Sequence, residues 1–206
     1  TEADNDYTGL VLETITFAGN AGEEQTVNIS IGADNKVESN EQFFLGIGNA
    51  MASQVDASNI ATSAGASVTI LNDDNAAVTI ADATANEDDG NITLTATLDN
   101  PVDGGFTVAV NTADGTATTA DNDYTAVSGQ VLAFAGNAGE TQTFIITPTD
   151  DTKLEANETL TVGQSNLSGT TLSVTITDEA TVTITNDDAA AIIIADVSGN
   201  ENDGNI

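Results

Sequence analysis

Carboxylates are the only reactive side chains that this sequence supplies in quantity. It holds 33 Asp and Glu against two lysines, Lys36 and Lys153, and it contains no His and no Cys. Thiolate nucleophiles, imidazole bases, disulfides and zinc-thiolate sites are therefore excluded. The acids are unevenly spread. Asp150, Asp151, Glu155 and Glu158 fall within nine residues, Asp187 and Asp188 are adjacent, Asp123 precedes Tyr124, and Glu87 follows an apolar run. Two unit charges 4 Å apart repel by roughly 4 kcal/mol at an effective dielectric of about 20, so carboxylates that converge must share protons or bridging cations. The hard cation that accepts six to eight oxygens in irregular geometry is Ca²⁺, whereas Mg²⁺ demands a stricter octahedron. A second reading, in which the acids are solvated surface, stays open on spacing alone. No Asp-x-Asp-x-Asp-Gly loop and no glycine-rich nonapeptide is present, so any ion site must be assembled from distant segments.

Paired carboxylates can also cleave glycosides, but sugar clefts rely on aromatic platforms and this chain has no Trp. With no nucleophile elbow and no phosphate-binding glycine loop either, no catalysis is expected. A net charge of -31 excludes nucleic acid and anionic membranes as partners, since both require basic surface. No apolar stretch is long enough to insert into a membrane.

The elements that position these acids come in copies. Asp4-Asn5-Asp6-Tyr7 returns as Asp121-Asn122-Asp123-Tyr124, Phe17 to Glu23 as Phe134 to Glu140, and Lys36-Val37-Glu38 as Lys153-Leu154-Glu155, all at one offset. Asn72-Asp73-Asp74 returns as Asn186-Asp187-Asp188, and Ile80-Ala81-Asp82 as Ile194-Ala195-Asp196, at an offset three residues shorter. The reading is a tandem array: residues 1–74 as the last two thirds of one module, 75–188 as a complete module, and 189–206 as the start of a third. Thr1 aligns with Thr118 and Ile206 with Ile92, so a longer array is expected.

Within the complete copy, short segments alternate apolar and polar residues, as in Ile92, Leu94, Ala96 and Leu98 against Thr93, Thr95 and Thr97. Period two predicts strands at Ala77 to Ile80, Asn91 to Leu98, Phe106 to Thr112, Gly129 to Phe134, Thr141 to Thr147, Glu158 to Gly163 and Thr171 to Ile184. Gly, Asn and Asp turns separate them. About seven strands per module predict an all-β fold of tandem immunoglobulin-like antiparallel β-sandwiches. Asp114-Gly115 reads as a turn, and Tyr7 and Tyr124 read as core or corner tyrosines.

The succession Asn86-Glu87, Asp114-Gly115-Thr116-Ala117, Asp123-Tyr124, Ser128-Gly129, Phe134 with Gly139-Glu140-Thr141, Asp150-Asp151 with Glu155 and Glu158, then Ala180 to Ile184 and Asn186-Asp187-Asp188 resembles the Calx-beta module. That family is a β-sandwich known from sodium/calcium exchangers, an integrin and very long bacterial surface proteins. The resemblance implies calcium ligands at Glu87, Asp123, Asp150, Asp151, Glu155, Glu158, Asp187 and Asp188, and in the first copy at Asp6, Asp34, Glu38, Glu41, Asp73 and Asp74. Ala33 stands where Asp150 stands, and Asn72 and Asn186 replace an acid in the terminal run, so fewer or weaker ions are expected. The leading expectation is a structural, calcium-stiffened segment of a bacterial adhesin of the gliding or biofilm kind, extracellular and on the cell surface. Its partners would be neighbouring modules and a surface or secretion-machinery protein. The alternatives are a calcium-sensing tandem module of the exchanger type, or a module that itself binds a protein or glycan.

Overall fold

Alternating apolar residues become the facing inner surfaces of two sheets. The computed structural model describes residues 5–54, 56–202 and 204–205; Thr1 to Asp4 and Ile206, which set the outer limits of the repeat alignment, lie outside them. In the first copy β1 (Glu41–Leu45) pairs antiparallel with β2 (Ala66–Ile70). The complete copy supplies β3 (Ala76–Ile80), β4 (Ala83–Asn86), β5 (Ile92–Leu98), β6 (Phe106–Asp114), β7 (Tyr124–Thr125), β8 (Gln130–Phe134), β9 (Thr141–Pro148), β10 (Glu158–Ser168), β11 (Val174–Thr175) and β12 (Glu179–Thr185). They form two five-stranded sheets, in the orders β4-β12-β10-β6-β8 and β11-β3-β5-β9-β7.

Buried side chains from both sheets meet in one core. Ile92, Leu94 and Leu98 stand beside Phe144 and Ile146 in one sheet, while Val108, Val110, Leu160, Val162 and Val182 face them from the other. Cross-strand register explains the match, because Leu94 lies opposite Phe144 and Ile92 opposite Ile146. Such directly opposed apolar pairs are the unit of sheet stabilisation. Phe106 stacks on Phe134 with centroids 5.2 Å apart.

The structure refines the strand reading at both ends of the module. The run from Thr171 to Ile184 is two strands, because the chain changes sheets at Asp178. β11 pairs parallel with β3, and β12 pairs parallel with β4. The entry strand changes sheets in the same way at Asp82. Each crossing is closed by an acid: Asp178 accepts from Ile80 N–H at 2.7 Å, and Asp82 accepts from Thr181 N–H at 2.7 Å. Two acids that look like surface residues in the sequence therefore satisfy backbone donors left over where ladders end.

Repeat equivalence extends to single hydrogen bonds. Tyr7 bridges Ile31 as Tyr124 pairs with Pro148, and β1–β2 reproduces the register of β10–β12. Glu23 accepts from the N–H groups of Ala18, Gly19 and Asn20, as Glu140 does from Ala135, Gly136 and Asn137. The copies touch where Val37 bridges Val102 in parallel; Val37 is fully buried there.

Candidate metal centre

Strand direction brings the acids of the complete copy to one end. β4 and β12 run parallel, with Asn86 opposite Thr185, so Glu87 and the Asn186-Asp187-Asp188 run leave the sheet side by side. β10 runs antiparallel to β12 and begins where β12 ends, with Glu158 opposite Ile184. In the other sheet Tyr124 lies opposite Pro148, which sets Asp123 beside the start of the Thr149-Asp150-Asp151 segment; Thr149 N–H donates to Asp123 O at 2.9 Å. Glu87 is held in one turn of 3-10 helix, Glu87–Asp89, closed by Asn86 N–H donating to the Asp89 carboxylate at 2.9 Å.

Two groups of carboxylates result. One oxygen each of Glu87, Asp151 and Asp188 lie within 4.8 Å of one another, and so do one oxygen each of Asp123, Glu155 and Glu158. Residues of both groups line a single small cleft, together with Thr149 and Asn186. Glu87 is only 6% exposed. Its Oε1 and the Oδ2 of Asp188 are buried without a hydrogen-bond partner. A buried carboxylate oxygen that accepts no hydrogen bond is costly unless a cation meets it.

Proton affinities record the same crowding. Burial first, then Asp123 and Glu155, push the Glu158 carboxyl up to about 7 against the opposing pull of Lys153. Glu87 is raised by burial and by Asp188, Asp187 and Asp151, although the Asp187 N–H opposes this. Asp188 is raised by burial, then by Asp187, Asp151, Asp150 and Glu155. Asp187 shares a hydrogen bond with Asp88, whose carboxyl is raised by it. These groups gain by sharing protons or by meeting a cation. The all-oxygen donor set fits a hard divalent ion of the calcium type.

Asp187 and Asp150 border these groups without joining either ligand triplet. In the first copy, burial and then Asp73, Asp34 and Glu38 raise Asp74, so these four carboxylates share one neighbourhood. Asp6 is buried and Glu41 opens β1, the positions that Asp123 and Glu158 hold in the complete copy. Ala33 is exposed. Among the described residues, ligand triplets occur only in the complete copy.

Sequence reasoning missed three residues of this end. Asp88 is one. Asn186 is the second: its Oδ1 accepts from Glu155 N–H at 2.8 Å and its Nδ2 donates to Asp188 O at 2.9 Å, so it clips the acidic exit to the Glu155 segment. Asn157 is the third, its Oδ1 accepting from Asn186 N–H at 3.3 Å. Asn72 and Asn40 repeat the whole arrangement, with Glu38 N–H donating to Asn72 Oδ1 at 3.0 Å. The signal was present in the recurrence of Asn at both positions in both copies. Asp114 is occupied otherwise: it accepts from the Tyr124 hydroxyl at 2.6 Å and Thr119 N–H at 3.2 Å, which makes it a corner residue.

The family model for the Calx-beta domain matches residues 1–82 and 72–188. The chain belongs to the Calx-beta family. Calx-beta domains are non-catalytic modules. Among solved structures, the chain is similar to an apo-form Calx CBD1 domain at 23% identity, covering 56% of this chain and all of that one, with a TM-score of 0.48. It is also similar to CBD12 from CALX1.2 at 23% identity, covering 54% of this chain and 44% of that one, TM-score 0.47. A structure described as the calcium binding domain CBD12 of CALX1.1 matches at 29% identity over 52% of this chain and 44% of that one, TM-score 0.44. No curated protein matches the chain. These findings correct the narrower expectations drawn from the sequence: the solved structures it is similar to are described as Calx CBD1 and CBD12 domains, and the bacterial adhesin, the gliding role and the bacterial cell-surface location are not supported. Shared modular architecture misled there, because tandem copying and acidity belong to the module and carry no information about the parent protein. Among the described residues, no helix is long and apolar enough to cross a membrane.

Proposed function

We propose that this chain is a calcium-binding, calcium-responsive tandem of Calx-beta modules, in which ion binding at one end of a sandwich regulates how it is joined to the next. Two carboxylate triplets meeting in one cleft, with two buried oxygens that lack partners, carry the reading. The six residues of those triplets are the inner ligands; Asp150, Asp187 and Asp88 border them. In the first copy Asp34, Glu38, Asp73 and Asp74 would act together, with Asp6 and Glu41 completing that set. The module boundaries follow as 1–74, 75–188 and 189–206. When bound, the ion neutralises the carboxylates and replaces the protons they otherwise share. Because Asp188 is the last acid before the next copy, an ion held by it and by Glu87 fixes the exit of the module to its body. That coupling of ion level to module geometry favours the sensing role over a ligand-binding one.

Isothermal titration of the whole chain with Ca²⁺ tests this reading. Saturable heat is expected, and Glu155→Gln with Glu158→Gln should weaken binding by more than about tenfold, since ligand charge sets affinity at such sites. No saturable heat, or an isotherm unchanged by the two substitutions, overturns it.

A further inference from the structure

We propose that Lys153 is a tethered counter-ion of the acidic cleft: it occupies Glu155 while the site is metal-free, must leave when calcium binds, and then passes to Asp121. This deepens the calcium reading above and rests on it. Lys36 and Lys153 are the chain's only basic side chains, against 33 acids. Both stand at one repeat position, and each reaches two candidate ligands from there. The Lys153 N–H donates to Asp151 of one triplet at 2.6 Å, and its ammonium pairs with Glu155 of the other. Lys36 repeats both contacts, with its N–H on Asp34 at 2.8 Å and its ammonium on Glu38 at 2.9 Å.

The two ends of Lys153 are held differently. Its main chain is fixed through Asp151, and the main chain of Glu155 is fixed by Asn186 Oδ1 at 2.8 Å. The ammonium has more freedom: the Lys153 side chain is 66% exposed, while Glu155 is 17% exposed and lines the cleft with Asp123 and Glu158. An ammonium has three donors and no lone pair, so it cannot join a metal's ligand shell and instead competes for the oxygen that it holds. It offsets part of the repulsion among the crowded carboxylates, but a single exposed charge gives way to a divalent ion shared by Asp123, Glu155 and Glu158. Asp121 is the acceptor for the displaced ammonium. Glu155 first, then Asp121 and Asp151, raise the proton affinity of Lys153, and of these three only Asp121 belongs to neither triplet. It is exposed in the loop that leads into Asp123, with the Thr118 hydroxyl donating to it at 3.3 Å. The first copy shows one lysine serving two acids from this position, since Lys36 lies 3.6 Å from Asp103 while it remains on Glu38. Exchange of partners therefore needs side-chain rotation alone.

The test is a Ca²⁺ titration of the whole chain at low salt, where an exposed pair is least screened, with Lys153→Gln, which removes the charge and keeps the main-chain N–H. The sites of the complete copy are those whose heat Glu155→Gln with Glu158→Gln removes. At these, Lys153→Gln should bind calcium at least about fivefold more tightly, because a competing positive charge is gone. Its urea midpoint in chelator should fall, since the carboxylates lose their counter-ion, and Lys153→Arg should show neither change. Saturable binding that Lys153→Gln leaves unchanged or weakens overturns this inference and leaves the calcium reading intact, whereas no saturable heat in any chain overturns both. A metal-free midpoint that holds or rises in Lys153→Gln also overturns the counter-ion role. Asp121→Asn should weaken binding at least about twofold when Lys153 is present and by less in Lys153→Gln, because the two residues are coupled. An equal loss in both backgrounds overturns the passage to Asp121.

Discussion

Glu158 is the residue on which the acidic end turns. Its carboxyl binds a proton up to about pH 7, because burial and the neighbouring Asp123 and Glu155 disfavour its charge. Between its ordinary value of 4.5 and 7, the folded chain therefore holds a proton that the unfolded chain has released. Stability of the metal-free protein must fall as pH rises through that window. Glu87, Asp88 and Asp188 are shifted the same way and add to the trend. Urea midpoints measured in chelator should be lower at pH 7.5 than at pH 5.5, and calcium should bind more weakly at pH 5.5, where it must displace that proton. A metal-free midpoint that climbs from pH 5.5 to 7.5 contradicts the crowding. The candidate acids themselves were legible in the sequence, because Asp and Glu cluster there and recur between copies. Asn186 was not, since an amide was read as lost ligand charge when its work is to clip Glu155 to Asp188 through two backbone groups. No spacing rule announces a contact between residues 31 positions apart.

Sheet exchange is the element-scale feature that builds the site. Had the segment from Thr171 to Ile184 run as one strand, as alternation predicts, β12 could not lie parallel to β4. Glu87 and Asp188 would then leave the sandwich at different places. Period-two patterning identifies inward and outward faces but not which sheet receives them, and that choice is made at Asp82 and Asp178 by bonds to Thr181 and Ile80. Replacing Asp178 with Ala strands the Ile80 N–H in a partly buried position. A loss of about 1–3 kcal/mol in urea unfolding is expected, the cost of an unsatisfied buried donor, whereas a change within error would reassign the crossing to packing alone. Strands central to both sheets were read well from the sequence, because apolar alternation is strict in β5 and covers part of β6 and β9. The short β4 and β7 were missed, being too brief for periodicity to register, and β11 was merged with β12 into one predicted strand.

At the scale of the whole molecule, the chain carries two Calx-beta modules joined without a Gly- or Pro-rich linker, and that joint lies beside the acidic residues Asp73 and Asp74. Lys36 and Lys153 hold one repeat position and pair with Glu38 and Glu155; in the first copy the same edge also carries Val37 against Val102 of the next module. In the first copy the proposed ion site and the module contact thus share the segment Lys36 to Glu38, the route by which the proposed ion would act on the next module. The recurrence between the first two copies was legible in the sequence, but the parent protein was not, because nothing inside a module reports the company it keeps.

The measurement that bears most directly on this account is the melting temperature of the whole chain in chelator and in calcium at a hundredfold excess over its dissociation constant. An ion that binds only the folded state adds about 2.7 kcal/mol under that condition, which for a chain of this size raises the midpoint by roughly 5–10 °C. A rise of that order, absent with magnesium at the same concentration, is the predicted result. An identical midpoint in calcium and chelator would contradict it and leave the crowded carboxylates held by shared protons alone.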